Sequence, residues 1–337
     1  MPETRLLLPL TSFGLALAAR EALSRMRRHS LNGQVAVITG SSRGLGLAIA
    51  RELTRAGCRI VLSARDEQEL ERARQDIESL GGTVVVIPCD VTQREQVRSL
   101  IRQSLDRFGS IDVLVNNAGA ISVSPLEAQT LDDFEHAMAV MFWGTVYPTL
   151  EVLPHMRQRR AGHVVNITSV GGKVSVPHLA SYSAAKFAAV GFSEGLHTEL
   201  APAGIHVLTV VPGLMRTGSH VNAEFKGQQP KEFAWFSLAA SLPITSIGAD
   251  DAARRIVSAL ETGETEIILT WQAAVAARLQ GVMPGFTTDV LTLINRLLPD
   301  AAGGETEARP GWASRSSASD SVLTKPGEQA ADDLNQR

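Results

Sequence analysis

Thr39-Gly40-Ser41-Ser42-Arg43-Gly44-Leu45-Gly46 follows directly on the apolar run Gln34–Thr39 and leads into the helical pattern Leu45–Arg55. Position gives these glycines their meaning. A helix N-terminus presents unpaired N–H groups and the positive end of its dipole, so a diphosphate can settle there if no side chain blocks its approach. Gly40, Gly44 and Gly46 remove the Cβ atoms that would block it. A three-glycine loop alone is a weak signal, since it also suits any tight strand-to-helix turn. Here the strand-turn-helix setting favours a dinucleotide, with Ser42, Arg43 and Leu45 of the loop among the residues expected to bind it.

Working outward, short apolar runs alternate with longer amphipathic stretches, the pattern of βα units around a parallel sheet. The strands expected are Gln34–Thr39, Arg59–Ser63, Thr83–Pro88, Val113–Asn116, His163–Ile167, His206–Val211 and Glu266–Leu269. Helices are expected at Leu45–Arg55, Glu67–Leu80, Arg94–Phe108, Leu131–Arg159, Ser183–Leu200 and Asp250–Thr262. The fold class is therefore α/β: a doubly wound, Rossmann-type parallel sheet of about seven strands with helices on both faces. Strands covered on both faces should be nearly continuous in β-branched residues, as Val84-Val85-Val86-Ile87 is.

The end of the second strand distinguishes the dinucleotides. An acidic residue there would bind the ribose hydroxyl of NAD, whereas an arginine accommodates the 2′-phosphate of NADP. The chain reads Leu62-Ser63-Ala64-Arg65, without that acid, and carries Arg43 inside the loop. Paired guanidiniums suit a phosphate, so NADP(H) is expected in preference to NAD(H). The alternative makes Arg65 a solvated charge or an ion-pair partner of Asp66 or Glu69.

Tyr182-Ser183-Ala184-Ala185-Lys186 puts a phenol and an ammonium on one helical face. A free tyrosine titrates near pH 10, and a nearby cation favours its phenolate, making it a usable proton shuttle. Ser169, thirteen residues earlier and just past a strand, could bind a substrate oxygen. A lone Tyr-x-x-x-Lys is frequent by chance. Its meaning comes from its surroundings.

Together these residues resemble the short-chain dehydrogenase/reductase family in its classical form, over roughly Leu31 to Leu269. The family's Thr-Gly-x-x-x-Gly-x-Gly loop matches residues 39–46, and its adenine-contacting Asp matches Asp90, followed by Val91. Its Asn-Asn-Ala-Gly motif is present as Asn116-Asn117-Ala118-Gly119. Pro-Gly-x-x-x-Thr beside the nicotinamide matches Pro212-Gly213 through Thr217. The resemblance implies catalysis by Ser169, Tyr182 and Lys186, with cofactor contacts at the loop, Arg65, Asp90, Val91, Asn116, Ala118, Gly119, Tyr182, Lys186, Pro212, Gly213 and Thr217. It also implies a homodimer or homotetramer. One position departs: where the family carries an Asn three residues before a Gly on the long helix, this chain has Met141 before Gly144. A thioether cannot replace an amide in a proton relay. Two readings follow, a carbonyl reductase or alcohol dehydrogenase acting on a small molecule, and an NADP-binding sensor or scaffold with weak or no turnover.

Composition is ordinary for a globular protein, with a net charge of −3 that calls for no nucleic-acid partner. Cys58 and Cys89 sit in or beside strand-like runs and read as buried thiols rather than a disulfide or metal pair, which suits the cytoplasm. Residues 32–270 form the NADP-binding domain. Residues 1–31 form an extension whose apolar stretch Leu6–Ala19 precedes Arg20, Arg25, Arg27 and Arg28. As a helix that stretch would reach only about 21 Å, short of a hydrocarbon core of about 30 Å. It could lie on an anionic membrane surface or pack on its own domain or a partner subunit. Leu214–Ile247, without a clear strand, reads as a lid. The lid's Phe225, Phe233, Trp235, Phe236 and Leu238 suggest a lipophilic substrate. Residues 271–300 should form two short apolar helices around Pro284-Gly285, and 301–337 a poorly ordered or surface-draped tail.

Overall fold

The computed structural model describes residues 29–301, 306–316, 321 and 323–337; the N-terminal stretch Leu6–Ala19 and its arginines lie outside the described residues. Seven parallel strands form the central sheet: β1 (Val35–Thr39), β2 (Arg59–Ser63), β3 (Val84–Val86), β4 (Val113–Asn116), β6 (Gly162–Ile167), β7 (Ile205–Val211) and β11 (Glu266–Ile268). Their order is β11-β7-β6-β4-β1-β2-β3. The chain thus starts in the middle, builds outward to one edge, and returns to build the other. That reversal opens a crevice beyond the carboxyl ends of β1 and β4, where doubly wound folds bind their ligands.

Alternate residues of each strand feed opposite cores, as a period of two requires. Ala36, Ile38, Ile60 and Leu62 pack with α1 (Gly44–Arg55), α2 (Glu67–Ser79) and α8 (Ala249–Thr262). Val35, Val37, Val61 and Val164 pack on the other face with α3 (Arg94–Phe108), α5 (Gly144–Arg159) and α6 (Ala180–Leu200). Each such side chain contributes about 1.5–3 kcal/mol when fully buried, so the sheet is a rigid platform for the loops at its end. Leu31 is 1 % exposed and belongs to the first of these cores. Cys58 and Cys89 are buried free thiols, both pushed up to about 12 by burial.

Three segments differ from the sequence expectation. The single helix expected over Leu131–Arg159 is interrupted: α4 (Leu131–Ala137) passes through a widened π-turn, Met138–Trp143, into α5. Gly144 ends that turn because α5 presses on β3's following loop, where a Cβ would stand 2.7 Å from Val91 Cγ2. The lid does contain strands. Within and just beyond it, β8 (Leu214–Arg216) pairs with β10 (Ser246–Gly248), and β9 (Glu224–Phe225) pairs with β5 (Ser122–Val123) and β12 (Arg309–Pro310). At two or three residues each, they are too short for an alternation to register. Between them runs α7 (Gln229–Ser241).

The tail is the third. Its described part is neither loose nor merely draped: β12 joins the lid sheet, and α11 (Lys325–Asp333) docks with Ala331 and Leu334 at 0 % and 4 % exposure. A small apolar pattern of this kind is masked by the surrounding Gly, Ser, Asp and Glu. The two helices after the last strand form as expected, α9 (Trp271–Val282) and α10 (Pro284–Asn295), but much of their apolar surface faces outward, with Trp271, Val282 and Leu293 at 71 %, 80 % and 61 % exposure. No described helix is long and apolar enough to cross a membrane.

Candidate active site

The glycine loop is built as its spacing demands. Gly40 and Gly44 have φ of +63° and +58°, and a Cβ on Gly46 would lie 2.2 Å from the Gly40 carbonyl oxygen. Only glycine lets the loop turn back on the first turn of α1. Asn117 locks it: Nδ2 donates to the Thr39 and Gly40 carbonyls at 3.1 and 2.8 Å, while Thr39 Oγ1 accepts from the Asn117 and Ala118 amides. This pinning role was not assigned from the sequence, although the Asn-Asn-Ala-Gly motif contained it.

Asn116 is placed differently from the expectation of a cofactor contact. Its side chain is buried within the sheet, where Nδ2 donates to Thr149 Oγ1 and Asn166 Oδ1, both at 2.9 Å. Asn166 Nδ2 donates in turn to Ser193 Oγ, which bonds Thr209 Oγ1 at 2.7 Å. This polar chain ties β4, β6 and β7 together under the site. Ala118 and Gly119 do reach the loop's edge: the Ala118 Cα sits 2.7 Å from a Cβ built on Gly40, and one on Gly119 meets nothing closer than 3.8 Å.

Beside the end of β2, Ser42 Oγ donates to Glu69 Oε2 at 2.8 Å and Arg43 pairs with Glu69 Oε1 at 2.7 Å. A carboxylate from the first turn of α2 thus stands beside the loop, although the end of β2 itself carries none. Asp66 caps that helix by accepting from the Glu69 amide, so neither acid holds Arg65, which stays exposed. Asp90 Oδ1 accepts from the Thr92 amide and hydroxyl, and Val91 is buried against Gly144. Leu45 is buried in the α1 core rather than turned outward.

The catalytic end is assembled where β6 meets α6. Ser169 follows β6, and its Oγ accepts from the Gly171 amide at 3.0 Å and faces the Tyr182 phenol closely enough to lower its pKa. Lys186 is 5 % exposed; its Nζ donates to the Ile167 carbonyl at 2.9 Å and lies 5.9 Å from the Tyr182 ring centre. Burial lowers the Lys186 ammonium to about 8. Burial also raises the Tyr182 phenol, with Ser169 pulling the other way. Gly171 and Gly172, not singled out from the sequence, make this contact geometrically available. A Cβ on Gly171 would lie 2.9 Å from Tyr182 Cε1, and one on Gly172 would lie 2.5 Å from the Lys186 carbonyl oxygen.

Pro212, Gly213 and Thr217 line the same end. The Pro212 carbonyl accepts from the Val170 amide at 2.7 Å, Gly213 lies against Thr270 and Ala273, and Thr217 is buried. Beside Tyr182 a small cleft is lined by Ala120, Ile121, Asp133, His136 and Met141. Met141 is 2 % exposed and sits among Ala137, Val140 and Ala185, its carbonyl accepting from Thr145 Oγ1 at 2.9 Å. The lid is fastened next to this cleft by two buried pairs, Lys226 with Asp133 at 2.7 Å and His178 with Glu232 at 2.9 Å. Its aromatics do not form the cleft wall: Phe225 meets Phe233 and Phe236 edge to face, and the three belong to the lid's own core.

The family model for short chain dehydrogenases matches residues 34–226. A dehydrogenase/reductase SDR family protein 7-like from Drosophila melanogaster is 35 % identical over 263 residues, covering 76 % of this chain and 79 % of its own. Of solved structures, a short chain dehydrogenase/reductase from Burkholderia phymatum in complex with NAD aligns with a TM-score of 0.71 at 27 % identity, covering 77 % of this chain and 96 % of that one. A gluconate 5-dehydrogenase from Burkholderia cenocepacia, in complex with NADP and tartrate, aligns with a TM-score of 0.62 at 30 % identity, covering 73 % and 96 %. The chain belongs to the short-chain dehydrogenase/reductase family of oxidoreductases, with the Rossmann-like fold of these neighbours.

Proposed function

We propose that the chain is an NADP(H)-dependent oxidoreductase acting on a carbonyl or alcohol. The observation that carries this reading is the meeting of Ser169, Tyr182 and Lys186 at the carboxyl end of β6, at the same end of the sheet as the glycine cradle. The cradle fits a dinucleotide diphosphate, because Gly40, Gly44 and Gly46 let the loop turn tightly back on the start of α1, with its backbone amides at a helix N-terminus and no side chain of its own in the way. Arg43 and Arg65 would flank the 2′-phosphate, Asp90 and Val91 the adenine, and Ala118, Gly119, Pro212, Gly213 and Thr217 the remainder. The Arg43–Glu69 pair is partly exposed, and such pairs contribute about 0–1 kcal/mol, so a phosphate can draw Arg43 away.

When bound, the nicotinamide exchanges a hydride with the substrate carbon. Ser169 Oγ donates to the substrate oxygen as charge develops there, and Tyr182 delivers the proton from its phenol in reduction or removes it in oxidation. Lys186, held by the Ile167 carbonyl, places a positive charge beside the phenol and favours phenolate in the step that needs it. Its own value of about 8 means that this charge is present below that pH and fades above it.

Met141 favours the second reading, an NADP-binding sensor or scaffold. It lines the cleft next to Tyr182 and brings neither donor nor strong acceptor. A panel of aldehydes and ketones separates the two. NADPH consumption with at least one member, faster than with NADH, is expected; tight NADPH binding without consumption by any member would favour the sensor. The mixed wall of Ala120, Ile121, Met141, Asp133 and His136 supports a substrate with an apolar body and a polar end. The outward apolar faces of α9 and α10 fit a subunit contact in a homo-oligomer or a membrane surface shared with residues 1–28. Sedimentation of the full chain with and without anionic vesicles distinguishes these.

A further inference from the structure

We propose that the chain's own C-terminus is an internal competitor of the dinucleotide, docked along the phosphate cleft so that tail and cofactor exclude one another. The proposal rests on the dinucleotide reading of the glycine loop. Its basis is where residues 333–337 lie.

The Gly44 amide, which has no acceptor within α1, donates to the Leu334 carbonyl at 2.9 Å. That carbonyl therefore takes a donor that a diphosphate at this helix end would need. Gln336 fills the space above the same glycine: its Nε2 is 2.8 Å from where a Gly44 Cβ would stand. It also donates to the Thr217 carbonyl at 3.1 Å, while Asn222 Nδ2 donates to its backbone and side-chain oxygens at 2.8 and 2.9 Å. At the other end Asn335 Nδ2 donates to the Ser42 and Glu69 carbonyls at 2.8 and 3.1 Å, and Arg72 Nε donates to its Oδ1 at 2.6 Å. Asn335 holds φ at +57°, a conformation that asparagine tolerates better than most residues. The tail thus spans from Ser42 to Thr217, the two ends of the groove assigned to the cofactor.

It is also anchored away from the groove. Ala331 sits against Gly218, where a glycine Cβ would come within 2.4 Å of the Ala331 Cα, and Arg51 donates to the Asp333 carbonyl at 2.9 Å. Leu334 enters the α1 core. The groove contacts are mainly between neutral groups, whereas a diphosphate would make charge-assisted bonds to the same donors, so saturating dinucleotide expels the tail. Below saturation the apparent affinity falls in proportion to the open fraction: a tail docked nine-tenths of the time weakens binding about tenfold.

Two full-length variants test this by calorimetric titration with NADPH and NADH, alongside limited proteolysis of the tail. Ala331→Glu puts a charge into a fully buried anchor, and the double variant Asn335→Ala/Gln336→Ala removes groove contacts without disturbing α11. Both should bind NADPH about tenfold more tightly than the unaltered chain, and saturating NADPH should speed cleavage of the unaltered tail. Equal or weaker binding by both variants, or a tail better protected when NADPH is bound, would make the tail a wall of the cofactor site and overturn the proposal. Binding of neither dinucleotide by any of the three chains rejects the dinucleotide site itself, and the competitor with it.

Discussion

The two halves of the cleft differ in readiness. At the end of β6, Ser169, Tyr182 and Lys186 stand together on rigid strand and helix ends, Lys186 fixed by the Ile167 carbonyl, with burial shifting the protonation of Tyr182 and Lys186. At the phosphate end the donors are present but engaged: Gly44 with Leu334, and Arg43 with Glu69. On the proposed reading, preorganised chemistry is paired with a cofactor groove that has to be opened. Binding and turnover should therefore respond to different residues.

The largest effect should fall on turnover alone. Tyr182→Phe is expected to lower kcat by about 10²–10⁴-fold, the usual range for a lost proton donor, with NADPH affinity measured by calorimetry nearly unchanged. A parallel loss of affinity would break the separation. Ser169→Ala should cost about 10²-fold in kcat, as removal of one oxyanion donor does. Gly46→Ala acts on the other half. Its Cβ would meet the Gly40 carbonyl oxygen at 2.2 Å, so it should destabilise the fold by about 1–3 kcal/mol in urea unfolding and abolish NADPH binding. In reduction, kcat/KM should decline as pH rises through about 8, since Lys186 has its ammonium lowered by burial and loses charge there. A profile flat to well above that pH would remove Lys186 from the proton step. The smallest effect belongs to Glu69→Gln, which frees Arg43 and should tighten NADPH about two- to fivefold, matching a surface pair of at most about 1 kcal/mol.

The same contrast explains what the sequence disclosed. The seven strands were legible because two-sided burial writes continuous β-branched runs, as in Val35–Thr39 and Ile205–Val211. Ser169, Tyr182 and Lys186 were legible because one turn of helix and one strand end fix their geometry. Glu69 was not, since it returns to Arg43 only through the first turn of α2. Nor was the tail: 290 residues separate Gly44 from Leu334, and no local pattern announces a backbone carbonyl bound to a distant amide. Met141 was visible as a departure; the π-turn around it was not, because one extra residue in a turn leaves no mark in the apolar pattern of a long helix.

Hydride transfer governed by Tyr182 is tested most directly by one paired measurement: the carbonyl compound that best drives NADPH consumption, at saturating NADPH, with the full chain and its Tyr182→Phe variant. Consumption in the unaltered chain, with the variant near background while still binding NADPH, is the predicted result. Equal rates in the two proteins, or no consumption with any compound at saturating NADPH, would contradict it.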